Sequence, residues 1–532
     1  MYFTCNYSLL MKSNILLFLC FLVFVRLSAQ NGLLTIEQLE SDQFPTYNSV
    51  EKAYIEKDKA IKLQIYQLHN SLPSSVSQLP NLQALYMESI YFEHLTERIG
   101  NLTNLQILSL KDNSVDSLPA SFSKLKNLKK LNFNTNRFEK FPTQILPLSK
   151  LRWLDLGKND INAVPDSIAN LKSLTELYLN NNYISSISDS IGKLKELKIL
   201  NIFQNKLQKI PSSIGKLNNL TMLNIGRNPL KNPEEVFPWL YKLQNLNDLT
   251  LKGLKLKKLP KDIHKLETVL HLSLEENLLE TLPDSFFQLK QLFWLDLGNN
   301  HLDSLPEKIS NLENLVWLSL ERNDLKNLPD SIRYLENLRF LSIRSMRMNK
   351  FPESICYLPN LEELNASNLQ VKKLSDSLLH LKNLQTLNIG FNRFLEQKST
   401  YDILAKLPKL KDLSMAGSEM AILEGGIGKL KNIVRLDISD NEFSGLPDSL
   451  FLLKDLKELN LADCNLTRLS PLINQLQKLE MLDLRYNTKL TYLPETIKEL
   501  KNLKVLYLHN VALPPSERAC VEEWLPHVKV YY

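Results

Sequence analysis

Histidines and cysteines are the residues that metal binding or nucleophilic catalysis would use first, and their spacing supports neither. The eight histidines fall in different segments, and none has a second His or a Cys at the short spacing of a zinc site. The sequence also contains no glycine-rich phosphate loop and no nucleophile motif. We therefore expect a protein that is not an enzyme and that binds no cofactor and no metal ion.

Aromatic residues at a fixed spacing indicate recognition chemistry instead. His271, Trp294, Trp317 and Phe340 follow one another at intervals of 23 residues. If each interval carries one strand of a parallel sheet, these side chains form a column on one face, about 4.8 Å apart. Trp and Arg are enriched among the residues that anchor protein interfaces, so this column is the candidate binding site. Packing along the rim of the sheet explains the same column almost as well, and this alternative stays open.

Charged residues surround the predicted column. The predicted partner-binding residues are Trp294, Trp317, Phe340, His271, Asp296, Glu321, Arg322 and Arg344. A smaller second patch is predicted at Tyr178, Phe203 and Met222, whereas Trp153 is interpreted as an isolated aromatic residue that shields strand backbone.

The elements that position these residues come from an internal repeat. Residues 292–314, LFWLDLGNNHLDSLPEKISNLEN, give the clearest copy of a unit that recurs about twenty times, with two longer units of 26 residues beginning at Leu220 and Leu384. L-x-x-L-x-L places alternate leucines on one face of a short strand. In the Leu-Pro that follows, the proline fixes φ at a position where the chain needs no amide donor. The I-x-x-L after it predicts a short helical or 3₁₀ turn that packs on the outer side of the unit. One unit cannot bury its own apolar side, so the units must stack.

An asparagine closes the strand in most repeats. Its amide can donate and accept within the turn, and stacked amides satisfy backbone groups that would otherwise be buried without partners. Other residues replace this asparagine at Ile90, Leu254, Met346, Leu369, Ser418, Cys464 and Val511. We therefore predict an interrupted amide ladder, most strongly at the consecutive repeats of Met346 and Leu369.

The consensus LxxLxLxxNxLxxLPxxIxxLxN resembles the 23-residue leucine-rich repeats of bacterial surface proteins and animal signalling scaffolds. The resemblance implies an α/β solenoid, a horseshoe with a concave parallel β-sheet and with short helical or 3₁₀ turns on the convex side. It also implies that ligands bind on the concave face. Extracellular animal relatives usually carry cysteine-rich caps, which this sequence lacks, so the resemblance favours exported bacterial proteins.

The regions outside the repeats predict export and two caps. Ile15–Val25 is an apolar run of 11 residues, whereas a membrane helix needs about 20, so residues 1–30 are predicted to be a signal peptide and no transmembrane segment is expected. Residues 31–58 are predicted as an N-terminal cap with a helix near 47–55, and 59–513 as the solenoid. Residues 514–532 are predicted as a C-terminal cap with a helix over 516–525 and a strand over 528–532. Too few residues follow the repeats for an enzyme domain.

Charge and cysteine content restrict the classes of partner that we expect. A net charge of +6 is too small and too dispersed for a nucleic-acid binder. The cysteines beyond the signal segment are far apart and predict no disulfide framework. We expect an exported recognition or adhesion module, secreted, periplasmic or at the cell surface, that binds a protein or peptide on the concave face. The alternatives are an intracellular signalling scaffold and a glycan-binding surface protein.

Overall fold

The computed structural model describes residues 33–67, 72–346, 348, 350–393 and 395–532. The predicted signal peptide, His69 and Arg347 lie outside these residues. The chain divides into two compact units, Met1–Thr250 and Leu251–Tyr532, and each is a stack of repeats.

Each repeat contributes a strand of two or three residues that pairs in parallel with the strand of the next repeat. The strands of the first unit are β1 Thr46–Tyr47, β2 Lys62–Gln64, β3 Ala84–Tyr86, β4 Ile107–Ser109, β5 Lys130–Asn132, β6 Trp153–Asp155, β7 Ala163–Val164, β8 Glu176–Tyr178, β9 Ser186–Ile187, β10 Ile199–Asn201, β11 Met222–Asn224 and β12 Asp248–Thr250. β7 pairs only with β9, in a small second sheet. The other ten strands form the main sheet of this unit.

The second unit continues the same pattern with twelve strands. They are β13 His271–Ser273, β14 Trp294–Asp296, β15 Trp317–Ser319, β16 Phe340–Ser342, β17 Glu363–Asn365, β18 Thr386–Asn388, β19 Asp412–Ser414, β20 Arg435–Asp437, β21 Glu458–Asn460, β22 Met481–Asp483, β23 Val505–Tyr507 and β24 Lys529–Tyr531. Adjacent strands pair without any shift, so Trp294 lies beside Trp317, and Trp317 beside Phe340.

In the part of the chain that the structure describes, short 3₁₀ helices and five α-helices accompany the strands. The 3₁₀ helices are Val76–Gln78, Glu97–Asn101, Ala120–Lys124, Thr143–Ile145, Asp166–Asn170, Asp189–Lys193, Ser212–Lys216, Pro233–Val236, Ile263–Lys265, Asp284–Gln288, Glu307–Asn311, Asp330–Tyr334, Glu353–Tyr357, Asp376–His380, Gly425–Lys429, Asp448–Leu452, Pro471–Gln475 and Glu495–Glu499. The α-helices are α1 Ile36–Glu40, α2 Val50–Ile55, α3 Phe237–Leu240, α4 Gln397–Leu404 and α5 Pro515–Trp524. The predicted strand-and-turn solenoid is therefore confirmed in each unit, and α3 and α4 occupy the two longer repeats.

The leucines of the consensus form the core between strands and turns. In β14, Leu295 is fully buried while its neighbour Trp294 is only half-buried, which is the alternation expected of a strand with one open face. Leu292, Leu297 and Ile309 of the same repeat are also fully buried. We call the sheet face that carries Trp294 the open face.

The strand-closing asparagines form the predicted amide ladder. Nδ2 of Asn300 donates to Leu274 O and to Leu297 O, both at 3.0 Å, and Asn323 Oδ1 accepts from Leu302 N–H at 3.0 Å. Each buried amide thus forms hydrogen bonds to consecutive repeats. The backbone groups that it contacts are paired, so their burial carries no desolvation penalty for an unsatisfied hydrogen bond.

Repeats without the asparagine use a different turn. At Cys464 the flanking residues Asp463 and Asn465 both have positive φ, and Asn487 Oδ1 accepts from the N–H groups of Cys464 and Leu466. The Cys464 thiol also donates to Ile438 O, the acceptor that the asparagine amide reaches elsewhere. The same double acceptance occurs at Ile90, Leu254, Leu369 and Ser418. The amide is absent from these repeats, as predicted, but the backbone N–H groups are not left unpaired, because the asparagine of the next repeat accepts both bonds.

The described residues before the first repeat and after the last repeat form helices and strands. Ser49 caps α2 by accepting from Lys52 N–H at 3.3 Å, and β1 pairs with β2. At the other end α5 buries Val521, and β24 pairs with β23. The helices and strand expected near residues 47–55 and 516–532 are present.

Candidate recognition surface

The predicted aromatic column is a continuous stack of rings on the open face. The ring centroids of Trp294 and Trp317 are 4.3 Å apart with planes inclined by 14°, and those of Trp317 and Phe340 are 4.7 Å apart and inclined by 2°. Parallel pairing in register is what holds these rings at neighbouring-strand spacing. All three side chains are half-buried, so the stack presents its ring edges to solvent.

A second apolar column, which the sequence reasoning missed, lies beside the stack. Leu270, Phe293 and Val316 each come one residue before a strand, and Leu270 and Phe293 are 38% and 46% exposed. The Phe293 ring meets His271 edge-on with centroids 6.0 Å apart. The sequence could have indicated this column, because the same slot holds polar residues in the flanking repeats, such as Asn247 and Arg339. We call Leu270, Phe293, Val316, His271, Trp294, Trp317 and Phe340 together the aromatic patch.

Asp296 is a buried carboxylate at the border of the aromatic patch. It is only 9% exposed, and its Oδ1 accepts from Gly298 N–H at 2.9 Å. Burial, together with the nearby charges of Glu275 and Glu321, raises the pKa of this carboxyl to about 6, against the lowering effect of hydrogen bonds from Gly298 and Ser319. Neighbouring carboxylates and poor solvation disfavour its charged form.

The remaining predicted charged residues lie around Asp296 without forming one network. Lys252 forms ion pairs with Glu275 and, at 3.2 Å, with Glu276. Glu321 Oε2 accepts from Ser342 Oγ at 3.3 Å. Arg322 is exposed in the turn after β15, and Arg344 is half-buried after β16.

In the first unit the structure contradicts the isolation of Trp153, whereas the second patch at Tyr178, Phe203 and Met222 stays a prediction. Trp153 is not isolated: its ring centroid is 5.6 Å from that of Tyr178, and Lys130 Nζ lies 5.1 Å from it. Phe203 lies beneath the Arg227 guanidinium, 5.6 Å away. The sequence did not predict this contact, because Tyr178 lies two positions further along the next strand, in a different column.

The N-terminal segment already occupies part of the open face of the first unit. Leu34 and Leu39 pack on Ala84 and Ile107, which hold the same slot in β3 and β4 that Trp294 holds in β14. Glu40, directly after Leu39, forms an ion pair with Lys130 in the same slot of β5.

Backbone groups of the N-terminal segment also bind the open face. Leu34 N–H donates to Gln83 Oε1 at 2.8 Å, and Gln106 Nε2 donates to Leu34 O at 2.9 Å. This arrangement shows that the open face holds a polypeptide segment through an apolar side chain and an adjacent complementary charge.

Comparison with known families assigns the repeats. A model described as "Leucine rich repeat" matches residues 103–161, 172–230, 244–302 and 455–511. A "Leucine-rich repeat region" model matches 294–421, and a two-copy repeat model matches 149–192. The chain belongs to the leucine-rich repeat proteins. The aromatic patch therefore lies on the strand side of a leucine-rich repeat solenoid.

Several solved structures are similar to this chain over most of their own length. A TDR receptor is 21% identical, with 87% of this chain and 96% of that chain covered and a TM-score of 0.51. A leucine-rich repeat protein of Leptospira interrogans is 25% identical over 92% of this chain and 100% of its own, with a TM-score of 0.45. An internalin from Listeria monocytogenes is 20% identical over 64% and 88%, with a TM-score of 0.48. No curated protein sequence matches the chain.

The described helices are all short. In the part of the chain that the structure covers, none combines the length and the apolar character needed to cross a bilayer.

Proposed function

We propose that this protein is an exported, non-catalytic recognition module that binds a protein or peptide partner through the aromatic patch. The observation that carries the proposal is that two adjacent columns of the open face become apolar in the same consecutive repeats. Side chains such as Phe293, at 46% exposure, remain in solvent although a polar residue fits the same slot elsewhere. A contiguous exposed apolar patch on a soluble domain marks an interaction site.

Packing alone is a weaker account of the aromatic patch. The two faces of the Trp317 ring are covered by Trp294 and Phe340, so the stack needs no further cover to shield strand backbone. Leu270 and Phe293 lie outside that stack and would still be exposed if the stack were purely structural. Their exposure costs solvation free energy that a partner would recover on binding.

Ring geometry also favours a polypeptide partner over a glycan. A sugar stacks on the free face of an aromatic ring, and the faces of Trp317 are occupied by its neighbours. At Trp317 the ring edge is the surface that remains, and beside the stack lie the aliphatic groups of Leu270 and Val316, both of which suit apolar side chains.

The proposed export rests on the apolar run Ile15–Val25. N-terminal sequencing of protein from the medium and from cell fractions tests it. A mature chain that starts near Gln30 in an exported fraction supports export, whereas an intact Met1 or Met11 start confined to the cytoplasm supports the intracellular scaffold.

Crosslinking capture from the producing cells tests the binding surface. Combined Trp294→Ala, Trp317→Ala and Phe340→Ala replacement should abolish capture of the partner that the wild-type chain retains, since single anchor residues contribute about 2 kcal/mol or more. Tyr334→Ala with Tyr357→Ala is the matched control, because these exposed rings lie in the 3₁₀ turns. Capture that survives the triple replacement, in a protein with unchanged circular dichroism, would refute the assignment.

A further inference from the structure

The column of charged residues at the border of the aromatic patch lacks one side chain, at Gly298, and we call this position the gap. Gly298 occupies the slot that holds Glu275 in the preceding repeat and Glu321 in the following one. A Cβ at position 298 would lie 3.0 Å from Glu321 Cγ and 3.1 Å from Asp296 Oδ1. Position 298 is therefore closely lined by Asp296 and Glu321, and no side chain of residue 298 separates these two acids.

The charges at this gap are unequally compensated by the chain itself. Lys252 pairs with Glu275 and Glu276, on the side of the gap away from Glu321. The groups that shift the pKa of Asp296 are two carboxylates and two hydrogen-bond donors. Arg344 follows in the same slot one repeat beyond Glu321, so its charge is separated from the gap by that glutamate. Among the described residues no lysine or arginine forms an ion pair with Asp296 or Glu321, so a positive group from outside would complement these two acids.

The N-terminal segment indicates how a polypeptide would use such a surface. Leu39 packs on apolar slots of β3 and β4, and the next residue, Glu40, pairs with Lys130. At the aromatic patch the apolar slots are larger and the adjoining charge has the opposite sign. The complementary segment therefore has an apolar side chain beside a basic one.

We propose that the aromatic patch binds a polypeptide segment in which a lysine or arginine adjoins an apolar side chain. The cation lies over Gly298 between Asp296 and Glu321, and the apolar side chain contacts Trp294 and Phe293. This proposal rests on the proposed function and adds the chemistry of the partner. The basic residue forms a charge-assisted hydrogen bond beside the apolar contact. This hydrogen bond makes the patch specific for segments that carry the basic residue.

Selection from a displayed library of random linear peptides against the full-length protein tests the proposal. We expect the selected peptides to share a Lys or Arg next to an aromatic or aliphatic residue. One selected peptide is then synthesised with its basic residue intact and with that residue replaced by norleucine, and its affinity is measured by calorimetry. The replacement should weaken binding to the wild-type protein about tenfold, as expected for one lost charge-assisted contact.

Protein variants identify the contact. Asp296→Asn and Glu321→Gln should each weaken the basic peptide severalfold and leave the norleucine peptide unchanged, so that the two changes are not additive. Glu458→Gln is the matched control, an acid in the Trp294 slot of the distant strand β21. Additive effects, or selected peptides without a basic residue, would overturn the proposed partner chemistry.

The design separates this proposal from the proposed function. If the triple alanine protein loses both peptides while the acidic variants bind normally, the aromatic patch is a binding site and only the cation is wrong. If the triple alanine protein binds both peptides normally, or if no peptide is selected, the proposed function itself fails. Trp317-dependent binding to a glycan array without any selected peptide would replace both proposals with a glycan partner.

The pH dependence of peptide affinity tests the cation contact independently. A bound cation favours ionised Asp296, whose pKa lies near 6, so affinity for the basic peptide should rise up to about tenfold between pH 5 and pH 7. Glu275 and Glu321 face Asp296 from the adjoining repeats, and Lys252 is held by Glu275. Asp296→Asn should flatten the rise, whereas His271→Gln should retain it. A rise that persists in Asp296→Asn would contradict the assigned cation contact.

Discussion

Replacing Asp296 by asparagine should stabilise the protein at neutral pH. The amide keeps an oxygen that accepts from Gly298 N–H and occupies nearly the same volume, but it carries no charge. In the native protein the carboxylate is 9% exposed and its charged form is disfavoured by burial and by two other acids. The substitution therefore removes an unfavourable charge while it retains the local packing.

The size and the pH dependence follow from the pKa. The carboxyl has a pKa of about 6 in the folded protein against 3.8 for an unperturbed aspartate. A difference of about two units corresponds to roughly 3 kcal/mol, at 1.36 kcal/mol for each unit. Because the folded pKa is raised, the wild-type protein loses this stability as pH rises from about 4 through 6. The asparagine protein should match the wild type near pH 4 and exceed it by up to about 3 kcal/mol above pH 7.

Urea unfolding between pH 4 and pH 8 measures this difference, and the fluorescence of the adjacent Trp294 and Trp317 reports the transition of these repeats. Asp483→Asn is the matched control: Asp483 holds the same slot and is 3% exposed, but Arg485 Nε donates to it at 2.9 Å and 3.0 Å. The control should destabilise the protein, because Arg485 loses its carboxylate partner. Equal or lower stability of Asp296→Asn at pH 7.5, or a gain independent of pH, would refute the reasoning.

Three further substitutions or reactions test the fold. Leu39→Asp should release the N-terminal segment from the open face, at a cost of about 3 kcal/mol or more, and speed proteolysis of the first 15 or so described residues while later repeats stay protected. Asn487→Ala should lower thermal stability more than Asn300→Ala, since Asn487 Oδ1 accepts two backbone donors; equal losses would contradict the double acceptance. Cys520 should react with a maleimide in the folded protein much faster than Cys356, whose thiol is fully buried with its pKa raised to about 12; equal rates would place Cys356 at the surface.

The repeat and the ring column were readable from the sequence for a simple geometric reason. Parallel strands that pair in register turn a spacing of 23 residues into lateral contact, so Trp294, Trp317 and Phe340 must be neighbours. The buried leucines follow from the same period. Whether the patch binds a partner remains a prediction.

Other features depend on side-chain direction and were missed. Leu270 and Phe293 precede their strands, and the strand alternation does not determine whether such positions are exposed. Trp153 meets Tyr178 across two columns, which a comparison of equivalent slots does not detect.

The stacked repeats, the leucine core and the order of the open-face columns follow from the amino-acid sequence, because each depends only on the period. Three further properties depend on the folded structure. Leu34 and Leu39 pack on the open face of repeats that are distant in sequence. One asparagine accepts from two backbone N–H groups where the preceding repeat lacks the asparagine. Burial of Asp296 shifts the pKa of its carboxyl. These properties arise from contacts between segments far apart in the chain and from the solvation they leave, which no spacing encodes.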